Sequence, residues 1–292
     1  MTEYDSSAER EKPPGCRLVA RDYPARDGHR IGVTYYASFK RGAPLLLEVH
    51  GGGFVGGHNT DDAQLCLDLL ARTGMNVASI EYRYAPEKLY PWATTDVFDA
   101  LAGLRADEEL DFDRARVSAI GHSAGGNIVA GLCLLLGDEA QLCAQVLDYP
   151  FLDATLDPAE RPKVSYSIPL LMMRRFLRAY FPDESARAET LASPALLGAE
   201  DARRMPPTFL LTCDQDNLRS DGLRYLEKLR AAGVPTEWLE LEHTQHAYVE
   251  TVPGGGIEDC WWMSRRMKAR QKECYSVALE EIAKFLRARC ED

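Results

Sequence analysis

Ile120-Gly121-His122-Ser123-Ala124-Gly125-Gly126-Asn127 lies at the junction of two patterns. The apolar run Val117–Ile120 reads as a buried strand, and Asn127–Leu136 reads as an apolar helix. A serine framed as Gly-x-Ser-x-Gly between a strand and a helix fits a very sharp turn. Gly121 and Gly125 remove side chains that would clash there, and Ser123 Oγ is held out at the top of the sheet. The same turn puts the Ala124 N–H at a helix N-terminus, where it can face an oxyanion. Ser123 is therefore expected to be a nucleophile for acyl transfer.

A Gly-x-Ser-x-Gly match is weak alone, and a second motif adds to it. Leu45-Leu46-Leu47-Glu48-Val49 reads as a buried strand and runs directly into His50-Gly51-Gly52-Gly53-Phe54. A bare backbone can approach a reacting carbonyl closely and aim N–H groups at it. Gly52 and Gly53 are the expected donors, with Ala124 as the third, and His50, Gly51, Gly121 and Gly125 support the two loops.

An activated serine needs a base, and the base needs an orienting carboxylate. In this architecture they follow the serine in the order acid, then histidine. His243 and His246 are the two histidines downstream of Ser123. His246 is the preferred base and His243 the alternative, a solvent-exposed loop histidine on the plainer reading. Phe209–Cys213 reads as the preceding strand, and Asp214, Asp216 and Asp221 follow it. Asp216 is preferred. Asp214 stands too close to the strand end, and Asp221 suits the first turn of a helix, where a carboxylate favours the dipole.

The 292 residues are 46% apolar and 27% charged, which describes a globular chain able to bury a large core. A net charge of −11 argues against nucleic acid and against an anionic membrane surface as partners. No apolar stretch reaches the length of a membrane span. Residues 1–15 are polar and charged, without the apolar segment of a secretory signal, and are expected to form a disordered tail. The eight cysteines are scattered without a Cys-x-x-Cys pair, so a reduced, cytoplasmic protein is expected. Cys133, Cys143 and Cys213 read as core residues, and Cys290 as exposed.

Along the chain, 17–24 and 30–37 read as a hairpin around Arg26-Asp27-Gly28. Strands are expected at 44–49, 75–81, 117–120, 143–149, 208–213 and 236–241. Helices are expected at 61–72, 96–104, 127–136 and 221–232, with a last long one within about 266–289. Apolar strands alternating with helices indicate a parallel sheet covered on both faces. Residues 155–190 break the rhythm with four prolines around the amphipathic piece Leu170–Tyr180 and read as an inserted cap.

Four blocks carry a resemblance: His50–Phe54; Glu81-Tyr82-Arg83-Tyr84-Ala85-Pro86-Glu87 with Tyr90–Ala93 and Asp96; Gly121–Asn127; and Ser193-Pro194 through Asp216–Gly222 to His246-Ala247-Tyr248. Over about 45–290 the chain resembles the hormone-sensitive-lipase-like esterases of the α/β-hydrolase fold. The resemblance implies residues 16–292 as one α/β-hydrolase domain with an inserted cap at about 155–190. It supports Asp216 and His246 and implies a serine esterase acting on short-chain acyl esters, a small-molecule substrate and no metal or organic cofactor. Arg83 and Glu87 are expected to brace the oxyanion loop by an internal ion pair. Two rivals stand beside this reading. One is an amide hydrolase, an aryl formamidase or peptidase, using the same triad. The other is a non-catalytic small-molecule receptor similar to the plant gibberellin receptors, which lack a complete triad.

The chain departs from the family pattern in three places. His122 stands where the family commonly has Asp. Strands begin near Arg17, so the family's helical N-terminal cap is expected to be missing. Residues 249–270, with Trp261-Trp262, are long, and are expected to line the pocket, replace the cap or form a homodimer contact; plain packing of the tryptophans under a surface loop is the alternative.

Overall fold

In a computed structural model, residues 16–56, 60–138, 141–164, 168–253 and 255–290 are described. The expected tail at 1–15 lies outside them. In chain order the elements are β1 (Arg17–Pro24), β2 (Arg30–Ala37), β3 (Leu45–Val49), α1 (Thr60–Thr73), β4 (Asn76–Glu81), α2 (Trp92–Ala106), β5 (Val117–His122) and α3 (Ala124–Leu136). They continue with β6 (Gln145–Asp148), α4 (Leu170–Tyr180), α5 (Ala199–Arg203), β7 (Thr208–Gln215), α6 (Arg219–Ala231), β8 (Thr236–Gln245), α7 (Tyr248–Thr251) and α8 (Arg265–Cys290).

The strands form one eight-stranded sheet in the order β1-β2-β4-β3-β5-β6-β7-β8. The hairpin β1–β2 joins antiparallel, β2 meets β4 antiparallel, and every later pairing is parallel. The strands β3, β5 and β6 are buried along their whole length, which is why they read as apolar runs rather than alternating ones. The one charged residue of β3, Glu48, is buried and accepts a hydrogen bond from Ser79 Oγ at 2.6 Å.

One apolar layer packs α2, α3, α4 and α6 on one face of the sheet, and a second packs α1 and α8 on the other. Two helices start before their apolar period does. α3 begins at Ala124 because the backbone must pass close to the sheet there: a Cβ on Gly125 would sit 2.0 Å from the Val49 carbonyl oxygen. Gly125 and Gly126 are poor helix formers, so helical propensity hid this first turn. α2 likewise begins at Trp92, on the turn that carries Asp96 to Arg83.

The segment between β6 and β7 carries α4 over the sheet's C-terminal edge. It is tied to the body by a buried ion pair: Arg161 Nη1 lies 2.7 Å from Asp221 Oδ1, and Asp221 Oδ2 accepts from the N–H groups of Leu152 and Asp153. Asp221 is thus in the first turn of α6, as expected, but its carboxylate is buried as an anchor for this segment. Cys290 corrects an expectation: it is 1% exposed, closed in by the last turn of α8 against Ser118. Cys143 is half-buried rather than a full core residue.

Candidate active site

Ser123 occupies the tip of the turn between β5 and α3 with φ of 53°, a strained value for a side-chain-bearing residue. Cross-strand bonds hold that strain: Ser123 N–H donates to Asp148 O at 3.0 Å, and Phe151 N–H donates to Ser123 O at 3.0 Å. A Cβ on Gly121 would meet Gly125 O at 2.3 Å, so both glycines of the frame are sterically required.

The strand pair β7–β8 delivers the other two residues. Gln215 pairs with Gln245 beyond a bulge, so the next residues on each strand, Asp216 and His246, emerge side by side. His246 Nδ1 lies 2.8 Å from Asp216 Oδ2, and His246 Nε2 lies 2.9 Å from Ser123 Oγ. Asp216 is buried, and its Oδ1 accepts the Leu218 N–H at 2.9 Å. The alternatives are placed elsewhere. His243 is exposed within β8, and Asp214 accepts the Thr244 N–H at 3.1 Å. Burial works against a charged His246, but the adjacent Asp216 carboxylate outweighs it, so the imidazole pKa stands above its ordinary 6.5.

The glycine loop faces Ser123 from the end of β3. Gly52 and Gly53 both have positive φ, 111° and 62°. Among the described residues, no hydrogen bond engages the N–H of Gly52, Gly53 or Ala124. Five hydrogen-bond contacts set the loop. Gly52 O accepts from Val55 and Gly56, His50 Nδ1 lies 2.8 Å from Gly51 O, and Tyr82 OH donates to His50 O and Gly51 O at 3.0 and 3.1 Å. The His50 ring stacks on Tyr82 at 4.3 Å. The expected Arg83–Glu87 brace is therefore corrected. Glu87 is exposed, and Arg83 instead pairs with Asp96 at 2.7 Å and Asp27 at 2.8 Å, pinning the β1–β2 turn. The residue that touches the oxyanion loop is the neighbouring tyrosine. Its backbone neighbours drew attention by charge, whereas a buried hydroxyl's partner is invisible in a linear chain.

His122 points away from Ser123 Oγ into the protein. Its Nδ1 lies 3.2 Å from Asp148 Oδ2, both groups are buried, and Tyr248 OH donates to the other carboxylate oxygen at 3.2 Å. Burial opposes the charged imidazole, but Asp148 outweighs it and holds the His122 pKa above 6.5.

A cavity of about 330 Å³ opens over Ser123. Its floor is the glycine loop with Ser123 and Ala124; its roof comes from Ile168 and from Met172, Met173, Phe176 and Leu177 on α4. Phe54, next to the glycine loop, stacks on Tyr180 at 4.3 Å and ties α4 to the loop. Gly53 lies under the Phe176 ring, which a Cβ there would approach to 2.6 Å. Of the long 249–270 segment, Glu250 reaches this cavity. The sequence reading did not single out Glu250: the chain turns at Ala247, φ 65°, before α7, so no helical spacing links it to His246. Trp261 and Trp262 are 87% and 52% exposed, so they do not pack under a surface loop; Ile257, Cys260 and Met263 form the small core there instead.

Comparison with known proteins fits this geometry. A family model described as the alpha/beta hydrolase fold matches residues 46–250. An arylesterase of Saccharolobus solfataricus is 32% identical over 230 residues, covering 76% of this chain and 74% of the relative. An ethyl acetate hydrolase of Pseudomonas putida is 30% identical over 237 residues, covering 77% and 73%. Carboxyl esterase 2 of the fungus Tuber melanosporum matches with a TM-score of 0.82 at 21% identity, over 97% of this chain and 89% of that one, a likeness of fold. The chain belongs to the α/β-hydrolase fold family, in its hormone-sensitive-lipase-like esterase branch, and is a carboxylic ester hydrolase. Among the described residues, no helix is long and apolar enough to cross a membrane.

Proposed function

We propose that this chain hydrolyses short-chain acyl esters through a Ser123 acyl-enzyme. The observation that carries the reading is the unbroken hydrogen-bonded line Asp216–His246–Ser123, ending at a small apolar cavity floored by glycine N–H groups. His246 takes the Ser123 proton at Nε2 as Oγ attacks the ester carbonyl. Asp216 holds the Nδ1–H tautomer and stabilises the imidazolium. The N–H groups of Gly52, Gly53 and Ala124 receive the tetrahedral oxyanion, each worth about 3–4 kcal/mol in the transition state. His246 then gives the proton to the leaving alcohol, and water releases the acyl group by the same route. The small cavity, roofed by Phe176 and two methionines, supports a short acyl chain, and the ethyl acetate hydrolase among the relatives points the same way.

Ser123→Ala is expected to lower kcat on p-nitrophenyl acetate by roughly four decades or more. Activity that survives it would remove Ser123 from the reaction. Across acetyl to decanoyl esters, kcat/KM is expected to peak at the short end, and a peak at long chains would overturn the acyl assignment. Matched ester and anilide substrates separate ester from amide hydrolysis, with the ester expected to react faster.

A further inference from the structure

The cavity over Ser123 is apolar apart from Ser123, His246 and one carboxyl, that of Glu250 on α7. Neither of its oxygens has a hydrogen-bond partner among the described residues, and Oε1 is sealed from solvent. Oε1 rests against Gly51, where an added Cβ would come within 2.1 Å of it. The ring nitrogens of His246 offer nothing: Nδ1 is taken by Asp216 and Nε2 by Ser123. Oε2 is the oxygen left open on the cavity side, and a partner for it can arrive with the ligand. The rest of the lining, Phe54, Phe151, Ile168, Met172, Phe176 and Leu177, fits any small acyl ester, so it has no means of choosing a polar substrate.

We propose that Glu250 is a specificity residue that selects esters bearing a hydroxyl or ammonium group near the scissile bond, by accepting a hydrogen bond from that group. The proposal rests on the reading of this cavity as the ester site. Burial pushes the Glu250 carboxyl above the usual carboxylate range. In either protonation state the group keeps an oxygen that can accept. A hydroxyl is therefore a partner across the pH range, and an ammonium is the stronger one when the carboxyl is ionised.

Isosteric esters test this directly. Ethyl β-hydroxybutyrate and ethyl β-aminobutyrate are compared with ethyl isovalerate on the acyl side, and hydroxyethyl acetate with propyl acetate on the alcohol side. In the unaltered protein, kcat/KM for a donor-bearing ester is expected to exceed that of its methyl isostere by about tenfold on at least one side. In Glu250→Leu that ratio should fall to about one or below. Glu250→Gln should keep the hydroxyl preference and lose the ammonium one. Each ratio is taken within one protein, so a loss of folded material cancels. If Glu250→Leu fails to fold, the unaltered protein and Glu250→Gln still decide. A ratio near one in the unaltered protein on both sides, or a ratio unchanged in Glu250→Leu, overturns the proposal. Failure to hydrolyse any of the esters would instead overturn the esterase reading beneath it.

Discussion

His246 is flanked by a carboxylate on Nδ1 and the serine hydroxyl on Nε2, and only its neutral form can accept the serine proton. Its pKa stands above 6.5, chiefly because Asp216 overcomes the burial penalty, with Glu250 and Asp148 adding to the same effect. Activity should therefore be lost as pH falls through a midpoint above 6.5, read from the acid limb of kcat/KM. Asp216→Asn should move that midpoint down while kcat drops by about four decades. A midpoint at or below 6.5 in the unaltered enzyme would contradict the arrangement. His122 makes a different kind of prediction. The position usually taken by Asp in this family here faces a buried Asp148 at 3.2 Å. His122→Asp would set two carboxylates against each other, one forced to hold a proton whose folded pKa is raised. The cost, about 3 kcal/mol by urea unfolding, should be greatest above neutral pH and shrink as pH falls and that carboxyl protonates. A variant as stable at pH 8 as at pH 5 would exclude this pairing.

At the scale of elements, the strands were legible and their ends less so. Parallel strands such as β3 and β5 are buried throughout and mostly apolar, so the sequence marks them without any partner. The last part of β8 is a different case. Its residues 242–245 carry Glu242, His243, Thr244 and Gln245, which no strand pattern announces, yet beyond a bulge Gln245 pairs with Gln215 of β7 and brings His246 to Asp216. The segment that carries α4 was legible as a break in rhythm, but its anchor was not. Arg161 and Asp221 lie 60 residues apart and meet in a site closed to water, at 1% and 0% side-chain exposure. Arg161→Ala should leave Asp221 with the more exposed Arg224, 3.1 Å away, as its cationic partner, and cost about 3 kcal/mol in denaturant unfolding. A loss under about 1 kcal/mol would mean that the cap is held mainly by its aromatic contacts.

Across the whole molecule, the distribution of cysteines reports how the two faces of the sheet are sealed. All eight are free thiols, and all but Cys16 and Cys143 are buried. The neighbouring Cys290 thiol holds the Cys143 thiol below its ordinary pKa. An aromatic disulfide reagent should titrate Cys143 and Cys16 first in the native protein and all eight thiols in denaturant. Rapid native reaction of Cys290 would contradict its burial under the end of α8. The sheet also explains why the glycine loop, Ser123 and His246 share one cleft. β3, β5, β7 and β8 run parallel, so their C-terminal ends open at one edge.

Local chemistry carried the fold class and the candidate set Ser123, Asp216 and His246 into the linear chain. Glycine frames, apolar strand runs and the order serine, acid, histidine are short-range patterns set by backbone sterics and burial. Long-range pairing supplied the rest. Tyr82 rather than Arg83 braces the glycine loop, Arg161 fastens the segment that carries α4, Asp148 receives His122, and Glu250 reaches the cleft without a donor. The partner of a buried polar group is chosen by where distant strands and helices bring it, and no spacing along the chain records that choice.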